Sequence, residues 1–133
     1  HQHNFQQLEN GNYMVFINVA PFSGAGIPGS KVLEFNPSTK ETIWEYEDSP
    51  GYTFGSSFVS GAQRLDNGNT LICEGLWGRI FEVTKEKEIV WEYISPFFVP
   101  DKPGQPFGGS NHIFRAYRYA IEGPEIQNRV KLS

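Results

Sequence analysis

The stretch LENGNYMVFI, at residues 8–17, decides the fold, because it returns as LDNGNTLICE at residues 65–74. In both copies an Asn-Gly pair stands before an apolar run. Asn-Gly is the strongest short signal for a β-hairpin, since both residues tolerate the positive φ of a type I′ turn. Two hairpins of one pattern indicate an internally repeated β-structure.

Two more motifs recur in the same order around these hairpins. VLEF at residues 32–35 matches IFEV at 80–83, and IWEY at 43–46 matches VWEY at 90–93. Each copy therefore predicts four short strands, the last ending in Trp-Glu-Tyr. The first copy also carries an extra stretch rich in Gly and Pro, from 19 to 29, which we expect to be a loop. Four strands per repeat of roughly 45–55 residues is typical of a β-propeller blade.

The repeat divides the chain into about two and a half blades of an all-β, antiparallel propeller. We place a connector at 94–110 and a terminal tail at 120–133. A closed propeller needs roughly four to eight blades. The remaining blades must therefore lie on another chain or piece of the protein, or come from copies of this chain. The expected units are a blade at 1–46, a blade at 58–93 and a further inner strand at 111–119.

Composition excludes several classes of protein. Eleven basic against fifteen acidic side chains give a net charge of −4, and no basic cluster could neutralise nucleic-acid phosphates. No apolar run approaches the roughly 20 residues of a membrane-spanning helix. The lone Cys73 lies in an apolar run and is expected to be a buried structural thiol, with no cysteine partner for a zinc site.

Four motifs together resemble the bacterial arylsulfotransferase family. The resemblance covers nearly the whole chain up to residue 119, and the combination is more specific than any single motif. The sequence FRAYRY tends to fall near the carboxyl end of family members, which are about three times longer than this chain. The motifs are HQHNFQQLENGN at 1–12, SGAQRLDNGNTLICEG at 60–75, GRIFEV at 78–83 and FRAYRY at 114–119.

The resemblance implies that this chain is the C-terminal third of a six-bladed propeller. It also implies a periplasmic or extracellular location, because many relatives are exported. Characterised relatives transfer a sulfuryl group between phenolic compounds through a transiently sulfated histidine, without a nucleotide donor. A small phenolic or sulfate ligand is therefore expected, with no cofactor and no metal.

His1 and His3 are the candidate nucleophiles. They alternate on the first predicted inner strand, so both should point to one face, and inner strands line the central channel of a propeller. An unprotonated imidazole is available near neutral pH. His3 stands where the second repeat has Ser60, so the scaffold does not require a histidine there. Asn4, beside it, is expected to orient the ligand.

The third inner strand supplies the other candidate ligand-binding residues. Asn111 and His112 stand at its start, and Arg115 could meet the sulfuryl oxygens. Arg118 is an equivalent candidate for that contact, although for both arginines a structural role, anchored on a carboxylate, is favoured. Arg64 and Arg79 are also expected to be mainly structural.

The repeated glutamates at 34 and 82, and at 45 and 92, recur at equivalent positions, which favours blade architecture over a catalytic carboxylate pair. Two alternatives to sulfuryl transfer stay open. One is a non-catalytic propeller that serves binding or assembly, because a fold does not determine a function. The other is a copper site at the amino terminus, formed by His1 and His3. The run FIN at 16–18 also departs from the aspartate-containing run of relatives.

Overall fold

The structure, a computed structural model, describes residues 2–18, 29–100, 109–127 and 129. The described chain is all-β, with two antiparallel four-stranded sheets in which neighbouring strands follow chain order. The prediction of four strands per repeat is confirmed. The first sheet comprises β1 (Gln2–Gln7), β2 (Tyr13–Ile17), β3 (Lys31–Phe35) and β4 (Thr42–Tyr46). The second comprises β5 (Gly61–Arg64), β6 (Thr70–Glu74), β7 (Arg79–Val83) and β8 (Ile89–Ile94).

Helix in these parts of the chain is confined to two 3₁₀ turns, Gly51–Thr53 and Gly75–Trp77. Neither has the length or apolar character needed to cross a membrane.

The first hairpin of each sheet contains the Asn-Gly pair, but the turn differs from the expected type I′. Only the glycines have positive φ, 84° at Gly11 and 86° at Gly68. The Gly11 N–H donates to the Leu8 carbonyl, and the Leu8 N–H donates to the Asn12 carbonyl, both at 2.9 Å. This is a three-residue loop with glycine in the left-handed position. The Asn10 side chain accepts the Asn12 N–H at 3.0 Å, and this contact favours a loop that is one residue longer than a two-residue type I′ turn.

The two sheets pack face to face around four aromatic rings, which we call the inter-sheet cluster. Phe54, in the segment between the sheets, is its centre. Its ring lies 5.5 Å from those of Phe16 and Tyr46 and 5.7 Å from that of Phe81. All four side chains are buried. Alternation along each strand sends one row of side chains into this cluster, which is the main hydrophobic contact between the sheets.

The segment at 111–119 runs beside the second sheet without joining its ladder. The Ile113 N–H donates to the Gly75 carbonyl at 2.9 Å. The Gln63 side chain pairs with both backbone groups of Arg118, at 2.8 and 2.9 Å. Position 75 must be glycine, because a Cβ there would lie 2.1 Å from the Ile113 carbonyl oxygen. No strand is assigned over these residues, so the inner strand at 111–119 stays a prediction.

The predicted loop, connector and tail lie only partly within the residues that the structure describes. Residues 19–28 of the expected loop and 101–108 of the expected connector lie outside the described residues, and the described residues 120–127 form turns. Cys73 is a buried free thiol, as predicted. Burial raises its pKa to about 11, which keeps the thiol protonated near neutral pH.

Candidate functional site

Asn4 connects three neighbouring parts of the chain. It sits at a β-bulge of β1, between His3 and Phe5, with a φ of 49°. The bulge re-aims its side chain out of the regular alternation. The Asn4 amide nitrogen donates to the Tyr117 hydroxyl at 3.3 Å, and its carbonyl oxygen accepts the Ala62 N–H at 3.4 Å. One side chain thus contacts β5 and the 111–119 segment from β1.

Arg115 brings a positive charge to the same place. Its guanidinium donates to the Tyr117 hydroxyl at 3.0 Å and lies 5.7 Å from the centre of that ring. Arg64, Arg79 and Arg118 each pair with a glutamate, whereas Arg115 has no carboxylate partner within the described chain. A guanidinium whose remaining N–H groups meet no carboxylate, beside a hydroxyl and an amide, can bind an oxyanion through charge-assisted hydrogen bonds.

These side chains border an open cavity of about 430 Å³ between β1, β5 and the 111–119 segment, which we call the inner-strand cavity after the predicted inner strands. This volume suits a small aromatic ligand. The lining residues are Asn4, Phe5, Gln6, Ala62, Gln63, Arg115, Tyr117 and Tyr119.

His3 lies next to this cavity rather than in it. It lines an adjoining cleft of about 390 Å³ together with Asn4 and Phe5. No other described residue forms a hydrogen bond with its imidazole. His1 lies outside the described residues, so the expected alternation of the two histidines stays a prediction.

Asn111 and His112 lie apart from the inner-strand cavity. The Asn111 amide donates to the Ser95 carbonyl at 3.1 Å. The His112 ring contacts the Phe58 ring edge to face, at 5.2 Å between centroids. Neither residue lines the cavity that holds Asn4 and Arg115. Of the predicted site residues, the structure therefore brings together Asn4 and Arg115, with His3 adjacent.

Tyr117 is the site residue that sequence reasoning missed. Its hydroxyl accepts hydrogen bonds from both Asn4 and Arg115 and so joins them. A signal existed in the repeat: aligning FRAYRY with the second copy places Tyr117 opposite Gln63. The scaffold therefore does not require a tyrosine there.

Two buried glutamates form matching networks beside the two Asn-Gly hairpins. Glu34 accepts hydrogen bonds from Asn10 and Asn12 of the first hairpin, at 3.1 and 2.8 Å, and pairs with Arg64 of the next sheet at 2.8 Å.

Glu82 of the second sheet makes the equivalent contacts. It accepts hydrogen bonds from Asn67 and Asn69, at 3.2 and 2.7 Å, and pairs with Arg118. We call these the Glu34 and Glu82 networks. Their repetition matches the interpretation of these glutamates as scaffold.

Both carboxylates are held in the ionised form. Burial acts to raise the pKa of Glu34, but hydrogen bonds from Asn12 and Asn10 and the charge of Arg64 outweigh it. The pKa of Glu82 is lowered in the same way, against burial, by Asn69, Asn67 and Arg118. Glu74 behaves differently: burial raises its pKa despite the Gly55 N–H and Arg79.

Acidification should weaken the fold through the two networks. A pKa below the unfolded value of 4.5 means that stability is present above pH 4.5 and is lost as the pH falls through the folded pKa. Glu74 has a raised pKa, so its effect on stability has the opposite sign. Its contribution to the free energy of unfolding is present below pH 4.5 and is lost as the pH rises through its folded pKa.

Denaturant unfolding followed by circular dichroism at a series of pH values below 4.5 would measure this loss. The double variant with Glu34→Gln and Glu82→Gln should show a shallower decline than the parent, and Glu9→Gln is the exposed control. Equal slopes in the double variant and the parent would contradict the assignment.

Comparisons with known proteins give little to place this chain. No family model and no curated protein matches it. One solved structure that is similar is a crystal structure of a protein of unknown function from Bacteroides caccae, with a TM-score of 0.49 and 16% identity. The alignment covers 70% of this chain and 31% of that one, so the chain spans about a third of the length of this neighbour. Among the described residues, no group of three or more His, Cys, Asp or Glu could hold a metal ion.

Proposed function

We propose that the two sheets are blades of a six-bladed, arylsulfotransferase-like β-propeller that transfers a sulfuryl group between phenolic compounds. The observation that carries the proposal is the convergence of Arg115, Tyr117 and Asn4 at one cavity beside His3. The sequence resemblance supplies the reaction class, and the periplasmic or extracellular location belongs to the same proposal.

The donor groups fit the charge that a sulfuryl group carries. Its oxygens bear negative charge throughout transfer and need donors already in position. Arg115 offers guanidinium N–H groups that no carboxylate of the described chain occupies, and Asn4 offers an amide. The cavity also has aromatic walls, Phe5 and Tyr119, against which a phenol ring can pack.

The transfer has two balanced steps. The neutral imidazole of His1 or His3 attacks the sulfur of an aryl sulfate, so an N–S bond forms and the S–O bond to the phenol breaks. The leaving phenolate takes up a proton from solvent. An acceptor phenol then attacks the sulfur, so a new S–O bond forms and the N–S bond breaks, and the phenol loses its proton to solvent; the products are the free histidine and a new aryl sulfate.

Turnover of 4-nitrophenyl sulfate tests the proposal. With a phenol as acceptor, the protein should release 4-nitrophenol, and peptide mass spectrometry after rapid quenching should find a sulfated histidine. Replacing Arg115 by glutamine should lower kcat/KM by about 100-fold, as removal of one preorganised donor does in other enzymes. Arg129→Gln, on a turn, is the matched control.

Two results would contradict sulfuryl transfer. One is the absence of both turnover and a sulfated histidine in the assembled protein that contains this chain. The other is full activity after His1 and His3 are both replaced by alanine. In that case the second candidate, a non-catalytic propeller module for binding or assembly, is favoured. The observation that favours it is the arginine–glutamate contact made to each sheet by the part of the chain that follows it, which needs no bound ligand.

A further inference from the structure

The 111–119 segment contacts the second sheet as β5 contacts the first. Arg64 of β5 pairs with Glu34, and its guanidinium lies 5.2 Å from the ring centre of Trp44. Arg118 pairs with Glu82, the counterpart of Glu34, and lies 4.6 Å from the ring centre of Trp91, the counterpart of Trp44. Two independent contacts of Arg64 are therefore reproduced by Arg118.

A backbone contact is reproduced as well. The Arg64 N–H donates to the Gln6 side chain at 3.3 Å, and the Arg118 N–H donates to the Gln63 side chain at 2.8 Å. Gln6 and Gln63 stand two residues before the repeated leucine of each copy. By these three criteria, the segment takes the place of the innermost strand of a third sheet.

The rest of that third sheet is missing from the described chain, and the surface it would cover is bare. Trp44 is 9% exposed and Tyr46 2% exposed, because the second sheet covers them. Their counterparts Trp91 and Tyr93 are 43% and 38% exposed. The Trp44 indole also donates to the Lys85 carbonyl of the second sheet at 2.9 Å, whereas no described residue accepts the Trp91 indole N–H.

We propose that the face of Trp91 and Tyr93 binds a three-stranded antiparallel β-sheet with an open inner edge, and that residues 111–119 add to it as its fourth strand. The argument is continuity with the interface already present between the two sheets. The partner should place a turn carbonyl on the Trp91 indole, as Lys85 does for Trp44. It should also present apolar side chains to Tyr93, as Phe54 and Phe81 do to Tyr46.

A second copy of this chain does not fit this face as it stands. The first sheet of such a copy already has an innermost strand, β1, where residues 111–119 would have to lie. The partner is therefore a sheet that lacks this strand. This inference deepens the proposed blade architecture and depends on it, but not on sulfuryl transfer, since its test uses no aryl sulfate.

The test supplies the missing strands from the chain's own second sheet. Residues 65–100 are inserted a second time after Arg118, so that they follow it as they follow Arg64, and the tail is retained. In the insert both tryptophans are changed to phenylalanine, and Trp77→Phe is introduced in the parent part. Emission then comes from Trp44 and Trp91 alone. A shuffled insert of the same composition is the matched control.

We expect acrylamide quenching of Trp91 to fall several-fold and exchange of its indole N–H to slow by about tenfold or more, since buried hydrogen bonds resist opening. The same residues 65–100 are also added as a separate polypeptide to the unmodified chain. If neither form protects the Trp91 indole, the proposal is wrong. It is also wrong if the unmodified chain already protects Trp91 in a dimer, because a second copy would then occupy the face.

Discussion

Replacing Phe81 by alanine should lower the free energy of unfolding by about 3–5 kcal/mol, the usual cost of removing a buried phenylalanine side chain. Phe81 is fully buried, and its ring lies 5.7 Å from those of Phe54 and Tyr46. The cavity would open between the two sheets, where β7 and β4 are each held by their own ladder and cannot collapse into it. The loss should therefore lie at the upper end of that range.

Denaturant unfolding followed by circular dichroism and by tryptophan fluorescence measures this effect. Phe98→Ala is the matched control, because that ring is 60% exposed and should cost little. A loss at Phe81 no larger than the loss at Phe98 would mean that the inter-sheet cluster does not hold the sheets together. If the two probes gave separate transitions, the sheets would be unfolding independently.

Replacing Glu34 by alanine should cost about 3 kcal/mol, because it leaves a partly buried guanidinium and two side-chain amides without their acceptor. Arg64 loses its carboxylate partner, and Asn10 and Asn12 lose the oxygen that holds their hairpin. The effect reaches beyond one sheet, since Arg64 belongs to β5 and Glu34 to β3. It should therefore weaken both the first hairpin and the contact between the sheets.

The double variant Glu34→Ala, Arg64→Met separates these contributions. Removing the guanidinium along with the carboxylate should recover part of the lost stability, because no partly buried charge is then left without a partner. Glu9→Ala, on the exposed side of the same turn, should change the free energy of unfolding by less than about 0.5 kcal/mol. Equal losses at positions 9 and 34 would contradict the Glu34 network.

Much of the fold was predictable from short stretches of sequence. The repeated Asn-Gly hairpins and the Trp-Glu-Tyr endings predicted four strands per copy, and these are present. The turn type was wrong, since only the glycines have positive φ. The side chain of Asn10 accepts a backbone N–H two residues on, and this local contact favours the longer loop over the type I′ turn.

The candidate site was only partly predictable. Asn4 and Arg115 were proposed separately, on different predicted strands, and the fold places both at one cavity. Tyr117 was missed because its role depends on two partners from distant parts of the chain. Asn111 was predicted to bind the ligand because it stands at the start of the third predicted strand. In the structure its amide instead donates to the Ser95 backbone carbonyl, away from the cavity.

The sequence by itself determined the strands, their order in each sheet and the repetition of the buried glutamates. These features depend on alternation and turn chemistry within a few residues, which a linear pattern records directly. Only the tertiary structure decided which arginine pairs with which glutamate, and that Arg115 meets no carboxylate within the described chain. Those pairings depend on how one sheet packs beside the next, and hydrophobic packing, which sets that arrangement, carries no directional signal in the sequence.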